Sequence, residues 1–485
     1  LKKLKPIHGL VIFITLYASL GLLNLQFLPV AWNDEVQNLD PAIQYLHSGT
    51  FKSIIWPNPG ADKLFASYPP LLQYFHTAWL SIFQVDIFFV RLPFLILTLF
   101  TFILLYSTLN RSKNLKNSWL PLIILMVFAL DKSTFELSRS VRVEPLILFL
   151  LSLYLYIQPK HWPILKFTII GISATAHFYI WPILTVWFIY EWLQLTSINQ
   201  KILLPIISAL PWLLYFYSID FQFDTWISQM SMQTSDHQIT STDLPHSAFA
   251  NSFFFRFWPH YREQPLNIIL FWSIIILTLT FSFKKRALFQ PRYQNLLALL
   301  LLIILLFAFA SPQYRYLPPL LLLSLITLSN LPWLNFNTPK IKYFLLITSL
   351  NGFFSFGGRQ LASQLQKPQR DPIPVYNFLS KHLSVTTSTQ KSLLIGDAIG
   401  AYYTYHLQTS SRQKQHHSLD YAFDYYPIDW QPYQKVFILT HDSLPTYGAH
   451  FIAQYTPPNN HSLPKWALTF AKGQTYKGMN LYQLK

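Results

Sequence analysis

The chain of 485 residues contains no cysteine, which excludes disulfide bonds, thiolate metal ligands and a thiol nucleophile. Glycine is scarce, with 13 residues in all, too few for phosphate-cradling loops. No Walker loop, glycine-rich dinucleotide turn or zinc-binding helix signature occurs. Charged residues make up only 12%, about half the share usual in soluble domains. A soluble protein of this length needs a charged surface, and this chain lacks the charges to make one.

Apolar residues are abundant instead, at 52%. Stretches over 7–31, 91–109, 201–219, 265–283, 294–310 and 317–334 are long enough, or nearly so, to cross a hydrocarbon core of about 30 Å at about 1.5 Å per residue. The first runs into Trp32-Asn33-Asp34-Glu35 with no small-residue cleavage site, the pattern of a retained span rather than a signal peptide. The net charge of +16 is distributed over short loops. No basic face interleaved with aromatics is present, so nucleic acid is not an expected partner.

Lys2, Lys3 and Lys5 place the N-terminus in the cytoplasm under the positive-inside rule. Span one then delivers residues 32–90 to the outside. The apolar piece 68–85 is assigned to the outer interface, because crossing there would put Arg111, Lys113 and Lys116 outside. Further spans fall near 118–135, 143–158, 162–177, 179–195 and 341–356, about eleven in total. Lys160, Lys166, Lys201, Lys284, Lys285, Arg286, Arg292, Lys340 and Lys342 then gather on the cytoplasmic side, with Glu191 the only acid there. Asp34, Glu35, Asp40, Asp62, Asp131, Glu136, Glu144 and Glu263 face outward.

After Phe356-Gly357-Gly358 the composition turns polar, and Pro368, Pro372 and Pro374 mark a linker. The stretches 392–397, 435–440 and 466–470 read as strands and 374–383 as a helix. The expected organisation is a polytopic α-helical membrane domain over 1–357, with outer loops 32–90 and 220–264. A small extracytoplasmic α/β domain over 358–485 follows it.

Two clusters carry chemistry. Asp34-Glu35 follows span one directly; it is either a solvated helix start or a carboxylate base at lipid-headgroup depth. Ser138-Arg139-Ser140-Val141-Arg142-Val143-Glu144-Pro145 sits where span three leaves and span four begins. Two arginines and a glutamate at that depth are costly unless they bind an anion or one another. The arginine fork suits phosphate, and the alternative is a Glu144–arginine pair snorkelling at the interface. Arg91, His177, Arg315 and Tyr316 lie at span ends on the same side, where interfacial anchoring is the ordinary role. The loop 220–264 is long for a helix connection, as functional lids often are. His416-His417 has no partner spacing for a metal site.

Taken in order, these features resemble the lipid-phosphate-sugar-dependent glycosyltransferases of the C-type (GT-C) superfamily. The likeness is to the glycosyltransferase family 39 group, which includes protein O-mannosyltransferases and the lipid A aminoarabinose transferase. Asp34-Glu35 matches the group's acidic pair after span one. Tyr68-Pro69-Pro70-Leu71 resembles its Pro-Pro-Leu segment and Arg91-Leu92-Pro93 its Arg-Leu-Pro. Ser138-Arg139 through Glu144-Pro145 resembles its Ser-Arg element with a downstream acid, and Arg315-Tyr316-Leu317-Pro318 its Arg-Tyr-x-x-Pro. Tyr68 stands where the group usually has Lys or His, Glu144 where Asp is commoner, and His177 near a Lys of some members.

The resemblance implies a membrane glycosyltransferase of the cytoplasmic membrane. It would move a sugar from a polyprenyl-phosphate donor to a lipid, glycan or protein acceptor outside, by a single inverting displacement. Asp34 would be the base and Glu35 would orient the acceptor. Arg91, Arg139, Arg142, Glu144, His177, Arg315 and Tyr316 would hold the donor. It requires no soluble cofactor and allows a divalent metal, for which Glu35 and Glu144 are the candidates. Two other readings compete: a glycan polymerase or ligase using a diphosphate-linked lipid, and a lipid or sugar transporter. A transporter typically places polar residues at the midplane of repeated halves. Here the ionisable residues fall at span ends and no repeat is visible.

Overall fold

Apolar sequence continues to Ala31, yet the first helix stops at Leu23. In the computed structural model α1 covers Pro6–Leu23, and Leu25, Phe27 and Leu28 are buried in an irregular strap that follows it. The structure describes residues 5–231 except 24, 30, 54, 56–63, 67, 113, 114, 116, 117 and 159–161. It also describes positions 269, 273, 276, 295, 297–299, 301 and 302, and then 317–329, 338–383, 392–410, 419–423, 434–440, 450–456 and 479–483.

The segment between the first two long helices holds α2 (Asn33–Ser48) and α3 (Leu71–Leu80). With 10 residues, α3 is about 15 Å long, half a hydrocarbon core, in keeping with a helix that does not span. Gly49 closes α2 at φ +73°, with its N–H on the Tyr45 carbonyl; this left-handed position suits glycine. A single antiparallel bridge pairs Lys52 with Leu64.

Next come α4 (Ile87–Arg111), α5 (Leu120–Ala129), α6 (Lys132–Leu137) and α7 (Glu144–Ile157). They are followed by α8 (Pro163–Ala174), α9 (Trp181–Gln194) and α10 (Ile198–Ser218). The stretch expected to span at 118–135 is divided, because Asp131 caps α6 by accepting from the Ser133 and Thr134 N–H groups. Between α8 and α10 the backbones come very close: a Cβ at Gly171 would collide with the Ser208 carbonyl.

Helices α4 and α7 pack along each other and run the same way. Arg91 and Glu144 lie near their starts, whereas at their ends Arg111 donates to the Tyr156 carbonyl at 2.6 Å. That far end also holds Lys166, whose Nζ reaches both Glu191 oxygens at 3.0 Å; the Tyr154 hydroxyl donates to the same carboxylate. Lys201 lies over the Trp192 ring. The bundle therefore has a basic end and an opposite end bearing Asp34, Glu35, Arg91, Arg142 and Glu144.

Among the described residues, α1, α4 and α10 are each long and apolar enough to cross a membrane, and Leu120–Ala129, Glu144–Ile157, Pro163–Ala174 and Leu317–Thr327 are shorter apolar helices. The expected spans 265–283 and 294–310 lie mostly outside the described residues, as does the strand expected at 466–470. Farther along are α11 (Leu317–Ser329) and α12 (Pro339–Leu365), the latter continuing through Gly357 and Gly358.

The C-terminal part contains α13 (Ile373–His382) and α14 (Ala398–Ser410). Its strands are β1 (Ser392–Gly396), β2 (Leu419–Phe423), β3 (Lys435–Thr440), β4 (His450–Tyr455) and β5 (Met479–Gln483). They form one five-stranded sheet in the order β2-β1-β3-β5-β4. β1 pairs in parallel with β2 and β3, with α14 as the crossover from β1 to β2. β5 runs antiparallel to both its neighbours. β1 is buried along its whole length, as a central parallel strand should be.

Candidate functional site

Helix α2 begins one residue after Trp32, which supplies no side-chain cap, so Asp34 and Glu35 occupy its first turn. Their side chains go to different places. Glu35 is fully buried and meets Arg91 through two N–H···O bonds, Nε to Oε1 at 3.0 Å and Nη2 to Oε2 at 2.6 Å. Arg91 also donates to the Leu25 and Pro29 carbonyls, tying α4 to the irregular strap after α1. Glu35 Oε1 accepts a further bond from the Val141 N–H at 3.0 Å.

Asp34, with a side chain 42% exposed, receives Arg142 Nη1 on Oδ2 at 2.8 Å. Arg142 Nε donates to Glu144 Oε2 at 3.2 Å. One guanidinium therefore joins two carboxylates from elements far apart in sequence, and it lies 5.0 Å from the centre of the Trp32 ring. Glu144 is buried in the first turn of α7. Asn38, three residues beyond Glu35 and on the same helical face, donates to the Val141 carbonyl. Both backbone polar groups of Val141 are thus held by α2, which fixes the Arg139–Arg142 segment against it.

Arg139 is turned toward α1. It is buried, donates to the Leu20 carbonyl at 3.3 Å and stacks over the Phe135 ring at 4.2 Å. The last carbonyls of a helix lack intrahelical partners, and Arg139 serves one of them. Burial lowers its guanidinium to about 10, with Tyr17 opposing the fall and Arg91 adding to it; it stays cationic at neutral pH. The preceding Ser138 hydroxyl meets the Tyr17 hydroxyl at 3.2 Å.

His177 caps the short helical turn Phe178–Ile180 by accepting from the Tyr179 N–H. Its ring lies 5.9 Å from that of Tyr68 and 4.9 Å from that of Tyr179. The Leu71 N–H bonds the Thr175 carbonyl, so the Tyr68-Pro69-Pro70 turn is held against this second group. Arg315 and Tyr316 lie outside the described residues, as do His416-His417 and all of the loop 220–264 beyond Ser231.

Three further groups support this end of the molecule, and nothing in their sequence pattern marks them as site residues. Arg359 of α12 donates to Glu136 at 2.6 Å. Gln229 accepts from the Ala66 N–H and donates to the Leu64 carbonyl, bracing the chain just before Tyr68. Asp40 is buried and accepts from the Ser53 hydroxyl at 2.6 Å, the Tyr405 hydroxyl at 2.8 Å, Gln44 Nε2 at 3.1 Å and the Ile55 N–H at 3.4 Å. Burial raises its carboxyl above the ordinary value, and these bonds oppose the rise. Only Asn38 could have been found from spacing, three residues after Glu35.

Among the described residues no group of three or more His, Asp or Glu side chains gathers as for a metal. The donor atoms fit one poorly. Glu35 has both oxygens on Arg91 and Val141, and Glu144 Oε2 faces a cation.

Two solved structures match along nearly the whole chain. The crystal structure of ArnT from Cupriavidus metallidurans in the apo state aligns with a TM-score of 0.58 at 11% identity, covering 99% of this chain and 98% of that one. The structure of the same protein bound to undecaprenyl phosphate gives 0.54 at 10% identity, with the same coverage. The likeness is one of fold. The shared architecture is a polytopic helical fold with a C-terminal β-containing domain. No family model and no curated protein sequence matches the chain.

Proposed function

We propose that this chain is a membrane glycosyltransferase that moves a sugar from a polyprenyl-phosphate donor to an extracytoplasmic acceptor by one inverting displacement. The observation that carries the reading is Arg142 held between Asp34 and Glu144, with Asp34 reaching solvent. A partly exposed carboxylate beside a guanidinium, at the end of the bundle opposite Arg111 and Lys166, combines a proton acceptor with a phosphate-binding fork. The undecaprenyl phosphate held by the matching ArnT structure is the class of carrier such a fork would meet. On the positive-inside rule the N-terminus is taken as cytoplasmic and the C-terminal domain as extracytoplasmic.

In this reaction the acceptor hydroxyl or amine gives its proton to Asp34 as its lone pair forms the new bond to the anomeric carbon. The bond from that carbon to the phosphate oxygen breaks, and its electron pair leaves with the lipid phosphate. Arg142 stabilises that developing charge, with Glu144 fixing the plane of the guanidinium. Arg139 adds a nearby cation. Glu35 and Arg91 position the first turn of α2 and also hold the strap after α1. His177, Arg315 and Tyr316 are the remaining candidates for binding the donor. No step is routed through a metal.

The test is incubation of the purified protein in lipid vesicles with a panel of polyprenyl-phosphate-linked hexoses and pentoses. Release of free polyprenyl phosphate from at least one donor is expected. Failure with every donor, from protein that is folded by thermal melt, sinks the reading.

A further inference from the structure

Helix α2 carries the Asp34–Arg142 pair, and the C-terminal domain grips α2 at two points. The Asn33 side-chain oxygen accepts from the Ala398 N–H at 3.2 Å, so Asn33 caps α14 from the other domain. The Tyr405 hydroxyl donates to Asp40 Oδ1 at 2.8 Å. Both contacts join residues 365 positions apart. The equal offset means that residues 33 and 40 of α2 meet residues 398 and 405 of α14 in the same order. The two helices therefore lie parallel for about two turns, and α14 packs on α2 along that length.

The grip is built into the interior on both sides. Asp40 and Tyr405 are both fully buried, and Asp40 is held in addition by Ser53 and Gln44. Two points of attachment on one helix fix its rotation as well as its position. Rotation matters here, because Asp34 and Glu35 are neighbours whose side chains must point to Arg142 and Arg91 respectively. A turn of α2 by one residue, about 100°, would bring one of them into the other's direction and carry the other away from its arginine.

We infer that the C-terminal domain is a positioning part of the transferase site, and that Asn33 and Tyr405 set the rotation of α2 so that Asp34 meets Arg142 and the acceptor. The inference rests on the transferase reading above and adds to it a task for residues 358–485. Neither Asn33 nor Tyr405 is called on to touch the reacting atoms.

The test uses the full chain in lipid nanodiscs. Tyr405→Phe, Asn33→Ala and the double variant are compared with wild type on whichever polyprenyl-phosphate sugar of the panel wild type cleaves. Amide hydrogen exchange is followed over residues 33–48. The expected result is a fall in kcat of about tenfold for Tyr405→Phe, with KM for the donor within twofold. Exchange in α2 should quicken at temperatures where the sheet of the C-terminal domain is still fully protected. A domain that merely needs Tyr405 for its own stability would lose protection in β1 and β3 and keep its kcat per folded molecule, and that result overturns the inference. So does unchanged exchange in α2 in the double variant. If wild type cleaves no donor, the transferase reading falls, and the exchange measurement alone decides whether the C-terminal domain holds α2.

Discussion

Glu35 and Arg91, 56 positions apart in sequence, meet through two N–H···O bonds where neither side chain touches solvent. The pair welds the first turn of α2 to the second turn of α4. Because Arg91 also takes up the Leu25 and Pro29 carbonyls, it is the point where three segments of chain are fastened together.

Removing one partner of a buried ion pair leaves a charge with little compensation and costs about 3–5 kcal/mol. Arg91→Met should therefore lower the thermal unfolding midpoint in detergent sharply and reduce yield from the membrane. The double variant Glu35→Gln/Arg91→Met should recover part of that loss, since no charge is then buried alone. Equal melting of wild type and Arg91→Met would show that the pair contributes no stability.

Asp34 differs from its neighbour in being 42% exposed. An ion pair open to solvent is worth up to about 1 kcal/mol, whereas a general base contributes about 10²–10⁴ in rate. Asp34→Asn should insert and melt almost as wild type while losing transfer by about that factor. Wild-type turnover in this variant removes Asp34 from the base role.

Arg142→Lys keeps the positive charge and loses the planar fork that spans Asp34 and Glu144. Loss of one hydrogen bond to a charged group is worth about 1.5–3 kcal/mol, so kcat/KM for the lipid-phosphate donor should fall about 10- to 100-fold. A lysine variant with undiminished kcat/KM would show that charge alone suffices at this position.

Asp40 gives a pH dependence of stability. Burial lifts its carboxyl above 3.8, with Ser53, Tyr405, Gln44 and the Ile55 N–H opposing the lift. A carboxyl whose value is higher in the folded state contributes stability that is fully present below its unfolded value and is lost as pH rises through the folded one. Asp40→Asn stays neutral throughout. Its melting temperature relative to wild type should therefore rise between pH 4 and pH 7. His47 also feels Asp40, which opposes the lowering that burial imposes on its imidazole; the comparison is best made in a His47→Gln background. A pH-independent difference would contradict the buried, lifted carboxyl.

Hydrophobic runs mark where helices lie but not where they stop. Leu25, Phe27 and Leu28 are as apolar as the residues of a span and are buried, yet they belong to the strap that receives Arg91, because burial inside a protein and burial in lipid select the same side chains. Asp131 was legible as an outward acid; its use as a cap dividing α5 from α6 depends on backbone geometry that composition does not encode. In the C-terminal part, two of the expected strands coincide with β1 and β3, whereas β4 and β5 pair antiparallel at an edge and carry polar residues that blur the alternation. The acidic pair and the Arg142–Glu144 element stood out because charge is rare in this chain. That Glu35 faces inward and Asp34 outward is set by one step of helical rotation. That step is invisible until Arg91, Val141 and the C-terminal domain are placed around α2.

The shared direction of α4 and α7 has an electrostatic consequence. Both helices start at the end where Arg142 lies, and α2 starts there as well. Each start carries roughly half a unit of positive charge from the aligned peptide dipoles. An anionic headgroup approaching this end therefore meets a favourable potential that belongs to the peptide backbone, and no single side-chain substitution can erase it.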